Sequence, residues 1–300
     1  MRASGVRHLY QCPMRWADLD LLGHVNNVVY VDYLQEARVD MMRSHGPSVR
    51  RGEDGSQGED LAEGVVVVRH EVTYRAPLTF RFRPISIECW VTEIRAASFT
   101  MAYEVFDETP DGRVVHLRAS TVLTPYVFAT ERPRRLSPEE KDTLAPFLEE
   151  PLPKSPRIEP VAAERTWSPG HYPLHVRFSD VDVYGHVNNV KYFEYFQEAR
   201  IPLMERLGRD ITGDTGFHVV VAQTDVDYRI PILFRLEAYD VHSRITHVGS
   251  KSFTISSEIR DGDTVLSRAR VVLVFFDPAT QHSIEPPAEF RDAILDALAA

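Results

Sequence analysis

Residues 15–38 read Arg15-Trp-Ala-Asp-Leu-Asp-Leu-Leu-Gly-His-Val-Asn-Asn-Val-Val-Tyr-Val-Asp-Tyr-Leu-Gln-Glu-Ala-Arg38. The block returns 162 positions later as Arg177-Phe-Ser-Asp-Val-Asp-Val-Tyr-Gly-His-Val-Asn-Asn-Val-Lys-Tyr-Phe-Glu-Tyr-Phe-Gln-Glu-Ala-Arg200, with 15 of 24 residues identical. The shared residues are mostly polar or glycine, while many apolar positions between them have changed. Packing tolerates exchange among hydrophobic side chains, so the retained polar residues indicate a functional site present in duplicate.

The similarity between the two halves continues beyond this block. Residues 67–81 match residues 221–235 at an offset of 154 rather than 162, so the first half contains eight extra residues. The polar, glycine-rich residues 51–60 account for them, and their composition is typical of a surface loop. Each half has the length of one domain. We predict a first unit in residues 1–130, a Pro-rich charged linker in 131–170 and a second unit in 171–300.

Two hydrophobic periodicities follow each other in each half. Residues 99–105 alternate apolar and polar side chains, and residues 271–276 form a continuous apolar run, as half-buried and interior strands do. Directly after the repeated block, apolar residues recur at helical spacing. They are Tyr30, Leu34, Ala37 and Met41 in the first copy and Tyr192, Phe196, Ala199 and Leu203 in the second. This predicts an α+β fold in which each half lays one long helix on an antiparallel sheet.

The linker and the C-terminus each carry a further helix signal. Ser137-Pro-Glu-Glu140 has Ser as N-cap, Pro at the first helical position and Glu at the third, which is a capping box. Residues 287–300 are predicted to form an amphipathic helix that packs within the protein rather than on a partner.

The composition disfavours several classes of protein. A formal net charge of −10 argues against nucleic acid as a partner, because phosphate binding needs a basic face. Cys12 and Cys89 lack counterparts and CxxC spacing, so neither a disulfide nor a metal site is predicted. No N-terminal apolar segment or run of transmembrane length is present, so we expect a cytoplasmic protein without a membrane span.

The polar residues of the repeated block combine a turn with a helix start. Gly23 permits a tight turn, a strand is expected to end near Asp18, and Asn26 or Asn27 is expected to begin the helix as N-cap. Free backbone N–H groups at a helix start can polarise a carbonyl oxygen, as an oxyanion hole does. Asp20, on the preceding loop, would attack an acyl carbonyl as nucleophile or act as base toward water.

Each of these residues has a counterpart and a simpler structural alternative. The counterparts of Asp20, Gly23, His24, Asn26 and Asn27 are Asp182, Gly185, His186, Asn188 and Asn189. An Asp before a helix is usually a turn or capping residue, and we predict this structural role for Asp18 and Asp180. His24 is a candidate to hold a water or tune the carboxylate, although core histidines are commoner. No second His or Cys cluster accompanies the block, so no metal ligand set is predicted.

The long helix offers a second carboxylate in each half, Glu36 and Glu198. We interpret both as partners of a neighbouring Arg or Tyr rather than as catalytic groups. The sequence contains no nucleophile elbow, dinucleotide fingerprint, phosphate-binding loop or HExxH motif.

The pattern Asp-x-Asp-x-x-Gly-His-Val-Asn-Asn, followed by a helix ending Gln-Glu-Ala-Arg, resembles the hotdog-fold acyl-CoA thioesterases of the 4-hydroxybenzoyl-CoA thioesterase type. It is also similar to plant acyl-ACP thioesterases, which carry two hotdog units in one chain. The resemblance covers both halves and implies two tandem hotdog units paired within one chain, each site drawing residues from both.

The resemblance also implies roles for particular residues. The family's catalytic carboxylate corresponds to Asp20 and Asp182, and its carbonyl-polarising N–H lies near Asn27 and Asn189. Acyl-ACP members also use the histidine, here His24 and His186, and a further clade uses a glutamate on the helix, which keeps Glu36 and Glu198 as alternatives. In the repeated segments Tyr74-Arg-x-Pro77 and Tyr228-Arg-x-Pro231, Arg75 and Arg229 are candidates to contact a CoA phosphate.

We therefore expect a thioesterase that hydrolyses acyl-CoA to the free acid and CoA without a metal or redox cofactor. Two alternatives remain: an acyl-ACP thioesterase, which the acidic net charge disfavours, and a non-catalytic acyl-thioester binding protein. The duplicated Asp argues against a pure binder. Acyl chain length and further homo-oligomerisation of the chain stay open.

Overall fold

The computed structural model describes residues 6–46, 64–153, 155–161, 168–208, 218–277, 279–280 and 282–299. The chain divides into two compact units, Met1–Ser155 and Pro156–Ala300. The insertion predicted at residues 51–60 lies outside the described residues.

The first unit is an antiparallel sheet with one long helix. Its elements are β1 (His8–Cys12), α1 (Val29–His45), β2 (Val65–Tyr74), β3 (Ile85–Ile94), β4 (Phe99–Thr109), β5 (Gly112–Val127), β6 (Arg132–Pro133) and α2 (Pro138–Leu144). The strands are hydrogen-bonded in the order β1-β3-β4-β5-β2, and β6 pairs with the end of β5. Every neighbouring pair in this order is antiparallel.

The second unit repeats this architecture element by element. Its elements are β7 (His171–Leu174), α3 (Lys191–Gly208), β8 (His218–Tyr228), β9 (Tyr239–Val248), β10 (Ser252–Asp261), β11 (Thr264–Asp277), β12 (His282–Ser283) and α4 (Ala288–Ala299). The order β8-β11-β10-β9-β7 is the counterpart of that in the first unit. The predicted α+β architecture, one long helix with an antiparallel sheet in each half, is confirmed.

The apolar stripe of each long helix is buried, as its spacing predicts. Leu34 and Ala37 are completely buried on α1, and α1 contacts β1 and β3. Leu203 is completely buried on α3, which contacts β7 and β9. Burying these side chains against the apolar face of a sheet is the main source of stability for such a helix.

The linker packs onto the units rather than crossing solvent. Its predicted helix is α2, where the Ser137 side chain accepts from the Glu140 N–H (3.1 Å) and Glu140 accepts from the Ser137 N–H (2.7 Å). Further along, the Glu149 N–H donates to the Val91 carbonyl of β3 (2.8 Å). In the second unit the buried Val161 N–H donates to Glu258 (3.2 Å).

The remaining structural predictions concern the C-terminus and the cysteines. On α4, Phe290, Ile294 and Ala297 are buried in the hydrophobic core of the second unit, which confirms the packing role predicted for this helix. Cys12 and Cys89 are buried and form no disulfide. No helix in the described ranges has both the length and the apolar character needed to cross a membrane.

Candidate active site

Asp18 is the structural carboxylate of the repeated block. It lies in a 3-10 turn at Trp16–Asp18, six residues after β1 has ended at Cys12, so the prediction that the strand ends near Asp18 was wrong. Its buried carboxylate accepts from the Arg15 N–H (2.7 Å), the Arg15 side chain (2.9 Å) and the Tyr33 hydroxyl (2.5 Å). The bond to Tyr33 attaches the turn to α1. Because both carboxylate oxygens are bound, Asp18 has no oxygen available for a substrate.

Asp180 has the same environment in the second copy. It accepts from the Arg177 N–H (2.9 Å) and from the Tyr195 hydroxyl of α3 (2.7 Å). Burial, together with the hydrogen bond to Asp180, raises the pKa of Tyr195. Burial and the hydrogen bond to Asp18 raise the pKa of Tyr33 in the same way. The structural role predicted for Asp18 and Asp180 is therefore supported by matching contacts.

Asp20 closes the turn that the sequence predicts at Gly23. Its Oδ1 accepts from the Leu22 N–H (2.8 Å) and from the His24 N–H (3.2 Å), and the Gly23 N–H donates to the Asp20 carbonyl (3.1 Å). Gly23 has φ 75°, in the left-handed region that glycine adopts without strain. The turn and capping alternative for Asp20 is thus correct as far as Oδ1 is concerned.

The second oxygen of Asp20 is differently placed. Within the ranges that the structure describes, Oδ2 receives no hydrogen bond, and the side chain is only partly buried. Asp182 repeats the arrangement: its Oδ1 accepts from the Tyr184 N–H (2.9 Å) and the His186 N–H (3.3 Å), and Gly185 has φ 82°. Each turn therefore fixes one carboxylate oxygen and leaves the other available to react.

The helix starts one or two residues later than predicted, since the expected N-cap was Asn26 or Asn27. The helix α1 begins at Val29 with Val28 as N-cap, while Asn26 forms a separate turn: its Oδ1 accepts from the Val28 N–H (3.3 Å) and its carbonyl from the Val29 N–H (3.0 Å). A tyrosine from β2 binds at this point. The Tyr74 hydroxyl donates to the Asn27 carbonyl (2.7 Å), while the Val31 N–H donates to the Val28 carbonyl (3.2 Å).

The second copy repeats this helix start. The Tyr228 hydroxyl donates to the Asn189 carbonyl (2.8 Å), the Asn188 carbonyl accepts from the Lys191 N–H (3.0 Å), and α3 begins at Lys191. We did not anticipate this role for Tyr74 and Tyr228 from the sequence. The only signal was the retention of Tyr-Arg-x-Pro in both halves.

The loop brings a backbone donor to the helix start. The N–H of Asn27 has no hydrogen-bond acceptor among the residues described, and it precedes the positive end of α1. The neighbouring Asn26 N–H, by contrast, is bonded to the Asp18 carbonyl (2.8 Å). Within the described ranges, the Asn27 N–H is thus a free donor at the helix start, seven residues after Asp20, of the kind that can polarise a carbonyl oxygen.

His24 is connected to Asp20 through its backbone. Its N–H binds the carboxylate and its carbonyl accepts from the Asp20 N–H (2.8 Å), while the residue pairs with Thr79 in an isolated bridge. Its half-buried imidazole has no hydrogen-bond partner in the described part of the chain. His186 forms the equivalent bridge with Leu233. The predicted action of the two rings on a water or on the carboxylate stays a prediction.

Arg75 and Arg229 lie on exposed turns after β2 and β8. Their backbone N–H groups donate to the carbonyls of His116 (2.9 Å) and Leu266 (3.0 Å). Neither guanidinium has an acceptor within the described ranges, so both are accessible to an anionic ligand.

His116 is a further residue that the sequence did not indicate. Its Nε2 faces the Asp107 carboxylate (2.9 Å) and its Nδ1 faces the Pro77 carbonyl (3.1 Å). The next residue, Leu78, accepts from the Val25 N–H of the repeated block (2.8 Å). His116 therefore positions the segment that supports the Asp20 loop, and in the second unit Leu266 takes its place in the sequence.

Glu36 and Glu198 are exposed and make no ion pair or hydrogen bond with other described residues, so their interpretation as partners of Arg or Tyr was wrong. Glu36 lies beside β1, not on the Asp20 turn. Burial, followed by the charge of Glu36, raises the pKa of the Cys12 thiol to about 12.

The model of one protein family matches nearly the whole chain. It is the model of the Thioesterase-like superfamily, and it matches twice, over residues 14–164 and 176–298. The chain belongs to this superfamily. Two matches in tandem agree with the two units of the fold, and membership in the Thioesterase-like superfamily supports thioester hydrolysis as its class of reaction.

Individual relatives are similar to parts or to the whole of this thioesterase-like chain. An uncharacterised protein of Bacillus subtilis strain 168, YsmA, is 35% identical over 122 residues, which are 40% of this chain and 81% of YsmA. The long-chain acyl-CoA thioesterase FadM of Escherichia coli K12 is 27% identical over 125 residues, covering 40% of this chain and 93% of FadM.

A solved structure extends the likeness over both units. The 12:0-ACP thioesterase from Umbellularia californica superposes with a TM-score of 0.68 at 17% identity, covering 92% of this chain and 99% of that one. At this identity the likeness shows the fold alone. It confirms the tandem hotdog class expected from the sequence.

Proposed function

We propose that this protein hydrolyses acyl-CoA to a free carboxylic acid and CoA, with Asp20 and Asp182 as the reacting carboxylates. The proposal is based on the different environments of the two carboxylate oxygens of Asp20. One oxygen closes the turn and the other has no hydrogen bond within the described ranges, on the loop that leads to the Asn27 N–H. The Asp182 turn supports a second reacting group.

The geometry is compatible with two routes to the same products. As a base, Asp20 takes a proton from water, whose oxygen attacks the thioester carbonyl carbon. The Asn27 N–H stabilises the resulting oxyanion, which collapses and expels the thiolate, and the thiolate is then protonated. As a nucleophile, Asp20 itself displaces the thiolate to form a mixed anhydride, which water then hydrolyses.

Labelled water separates these routes. In a single turnover in ¹⁸O-water, base catalysis places ¹⁸O in the released acid. If the anhydride is hydrolysed at its aspartyl carbonyl, the nucleophilic route instead leaves the label on Asp20, where mass spectrometry of the peptide detects it.

Substitution of the carboxylates tests the proposed function. Asn keeps the size of Asp but is neither base nor nucleophile. We expect kcat toward an acyl-CoA panel to fall by at least about 10²-fold in the Asp20→Asn/Asp182→Asn double variant, while each single variant retains the turnover of the other copy.

Glu36→Gln and Glu198→Gln are the matched controls, because these exposed carboxylates lie on the helices that follow the Asp20 and Asp182 turns and not on the turns themselves. They are expected to leave kcat unchanged. A double Asp variant as active as wild type, or loss of activity in the Glu variants instead, would show that the catalytic assignment is wrong. Tight thioester binding without turnover by the wild-type protein would favour the non-catalytic binder.

Coenzyme A is preferred over a carrier protein on the evidence of charge. The chain is acidic overall, and the exposed Arg75 and Arg229 have guanidinium groups without a described acceptor. FadM, one of the relatives, acts on long-chain acyl-CoA by its name. The alternative, an acyl-ACP, is supported by the fold shared with solved acyl-ACP thioesterases, among them the 12:0-ACP thioesterase.

Substrates that share one acyl group distinguish the two carriers. Arg75→Gln and Arg229→Gln together should raise KM for acyl-CoA but not for the corresponding acyl-pantetheine, which lacks the nucleotide phosphates. A higher kcat/KM for the acyl-ACP than for the acyl-CoA would reverse the preference.

A further inference from the structure

Five positions around each catalytic loop are apolar in both copies, and all of them are exposed except Phe80, which is partly buried. They are Trp16, Leu21, Leu22, Phe80 and Phe82 in the first unit, and Phe178, Val183, Tyr184, Phe234 and Leu236 in the second. The residues themselves differ at four of the five positions, yet none has become polar. Exposed apolar clusters of this kind mark interaction surfaces in soluble proteins.

In the first unit the three aromatic residues of this set form one cluster. Trp16 contacts Phe80 edge to face (ring centroids 5.3 Å apart), and Phe80 contacts Phe82 in the same way (5.2 Å). The bridge between His24 and Thr79 joins the two loops that carry them. Phe82 is 97% exposed and Leu21 fully exposed, so both stand clear of the protein surface as tips and not as parts of a flat patch.

Positive charge alternates with these tips in an otherwise acidic chain. Arg15 precedes Trp16, and Arg81 and Arg83 flank Phe82, whose loop carries no acidic residue between Arg75 and Pro84. Arg81 pairs with Asp107, but Asp107 and Asp18 are buried, whereas the side chains of Arg15 and Arg83 are 69% and 62% exposed. The charge that reaches the surface here is therefore mainly positive.

The second unit has the apolar tips with less positive charge. It keeps Arg177 and Arg235 at the positions of Arg15 and Arg81, but it carries the exposed Glu237 at the position of Arg83, next to Leu236. The two units thus supply an internal comparison in which the apolar surface is retained and the charge is reversed at one position.

We propose that the first-unit residues Trp16, Leu21, Leu22, Phe80 and Phe82 dock on an anionic lipid surface. Aromatic tips insert at the level of the lipid headgroups, and arginines beside them are attracted by anionic lipids. Protruding tips flanked by arginine fit a deformable lipid surface better than the flat face of a second copy. Resting on the proposed function, this docking brings the Asp20 turn close to long-chain acyl thioesters partitioned into the lipid.

Vesicle co-flotation without substrate tests the docking. The full-length protein is mixed with phosphatidylcholine vesicles that contain or lack phosphatidylserine. We expect binding to the anionic vesicles, weakened by high salt. Arg83→Glu should reduce the partition coefficient by about fivefold or more, and Phe82→Ser by a similar factor, while Leu236→Ser in the second unit should have a smaller effect.

The proposal is overturned if the wild-type protein does not bind anionic vesicles, or if the Phe82→Ser variant binds them equally well. It is likewise overturned if the wild-type protein self-associates through this surface instead of binding vesicles and Phe82→Ser abolishes that self-association. Binding of an acyl carrier protein at this surface in place of vesicles also overturns it. Hydrolysis of a soluble short-chain acyl-CoA should be unchanged in Phe82→Ser. Vesicle binding by an inactive protein would refute the proposed function but leave the docking intact.

Discussion

Asp18 and Asp20 stand two residues apart and have opposite environments. Asp18 is 2% exposed and accepts three hydrogen bonds, so both of its carboxylate oxygens are bound by Arg15 or Tyr33. Asp20 is partly exposed and has one oxygen without a described donor. A carboxylate can react only through an oxygen that its surroundings leave accessible, which supports a structural role for Asp18 and the reacting role proposed for Asp20.

Tyr74 and Tyr228 are positioning residues whose removal should lower kcat rather than raise KM. Tyr74→Phe removes the hydroxyl that holds the Asn27 carbonyl, at a cost of about 1.4 kcal/mol, or about tenfold in rate, if the adjoining N–H is needed in the transition state. The measurement is kcat and KM of Tyr74→Phe in an Asp182→Asn background, where only the first site turns over.

Tyr126→Phe is the matched control, since its hydroxyl has no hydrogen bond in the described ranges. If Tyr74→Phe lowered the melting temperature but left kcat unchanged, its role would be structural only. The same comparison for Tyr228→Phe is made in the Asp20→Asn background.

Among the elements, α2 and α1 differ in how far their starts follow local rules. The capping box of α2 joins Ser137 and Glu140, three residues apart, and was predicted correctly. The start of α1 includes a long-range hydrogen bond from Tyr74 to Asn27, 47 residues away, and this start was misplaced by the same kind of argument. A helix start can be derived from sequence when its hydrogen bonds are local.

Glu140 should make the stability of α2 dependent on pH. Burial opposes its ionisation, but bonds from Arg134 (2.6 and 2.8 Å) and from Ser137 hold its pKa below the usual value. A depressed pKa stabilises the fold above the unfolded value, near 4.3, and the contribution disappears as pH falls through the folded value. Glu140→Gln should therefore cost about 2 kcal/mol at neutral pH and much less in acid.

Urea unfolding at neutral and acid pH measures this difference. Glu150→Gln, at an exposed position outside the helix, should change the free energy of unfolding little at either pH. An equal loss for Glu140→Gln at both pH values would show that ionisation of Glu140 contributes nothing.

At the scale of the whole molecule, the two copies share the hydrogen bonds of the loop that carries Asp20 or Asp182, but the residues that support this loop differ. The Asp20 and Asp182 turns share their hydrogen bonds, as do the tyrosine bonds to Asn27 and Asn189. The support behind them differs, because His116 of the first unit corresponds to Leu266 of the second. Because the hydrogen bonds of the turn and of the helix start are the same in both copies, we predict that both copies bind substrate.

Calorimetry with a non-hydrolysable thioether analogue of acyl-CoA counts the sites. We expect two analogues per chain, because each copy has a complete turn, carboxylate and helix start. A stoichiometry of one would show that one copy has lost binding, and the Asp20→Asn and Asp182→Asn variants would then identify which copy still turns over.

The choice of Asp20 over Asp18 came from the family resemblance. The repeated sequence alone was enough to derive the duplicated units, the helix stripe and the turns at Gly23 and Gly185. These features depend on residues a few positions apart or on a periodicity, both of which are visible along the chain. The late helix start, the tyrosine hydroxyl at Asn27, the His116 support and the exposure of Glu36 became visible only after folding. They depend on contacts between residues tens of positions apart, and no linear pattern records which of those side chains meet.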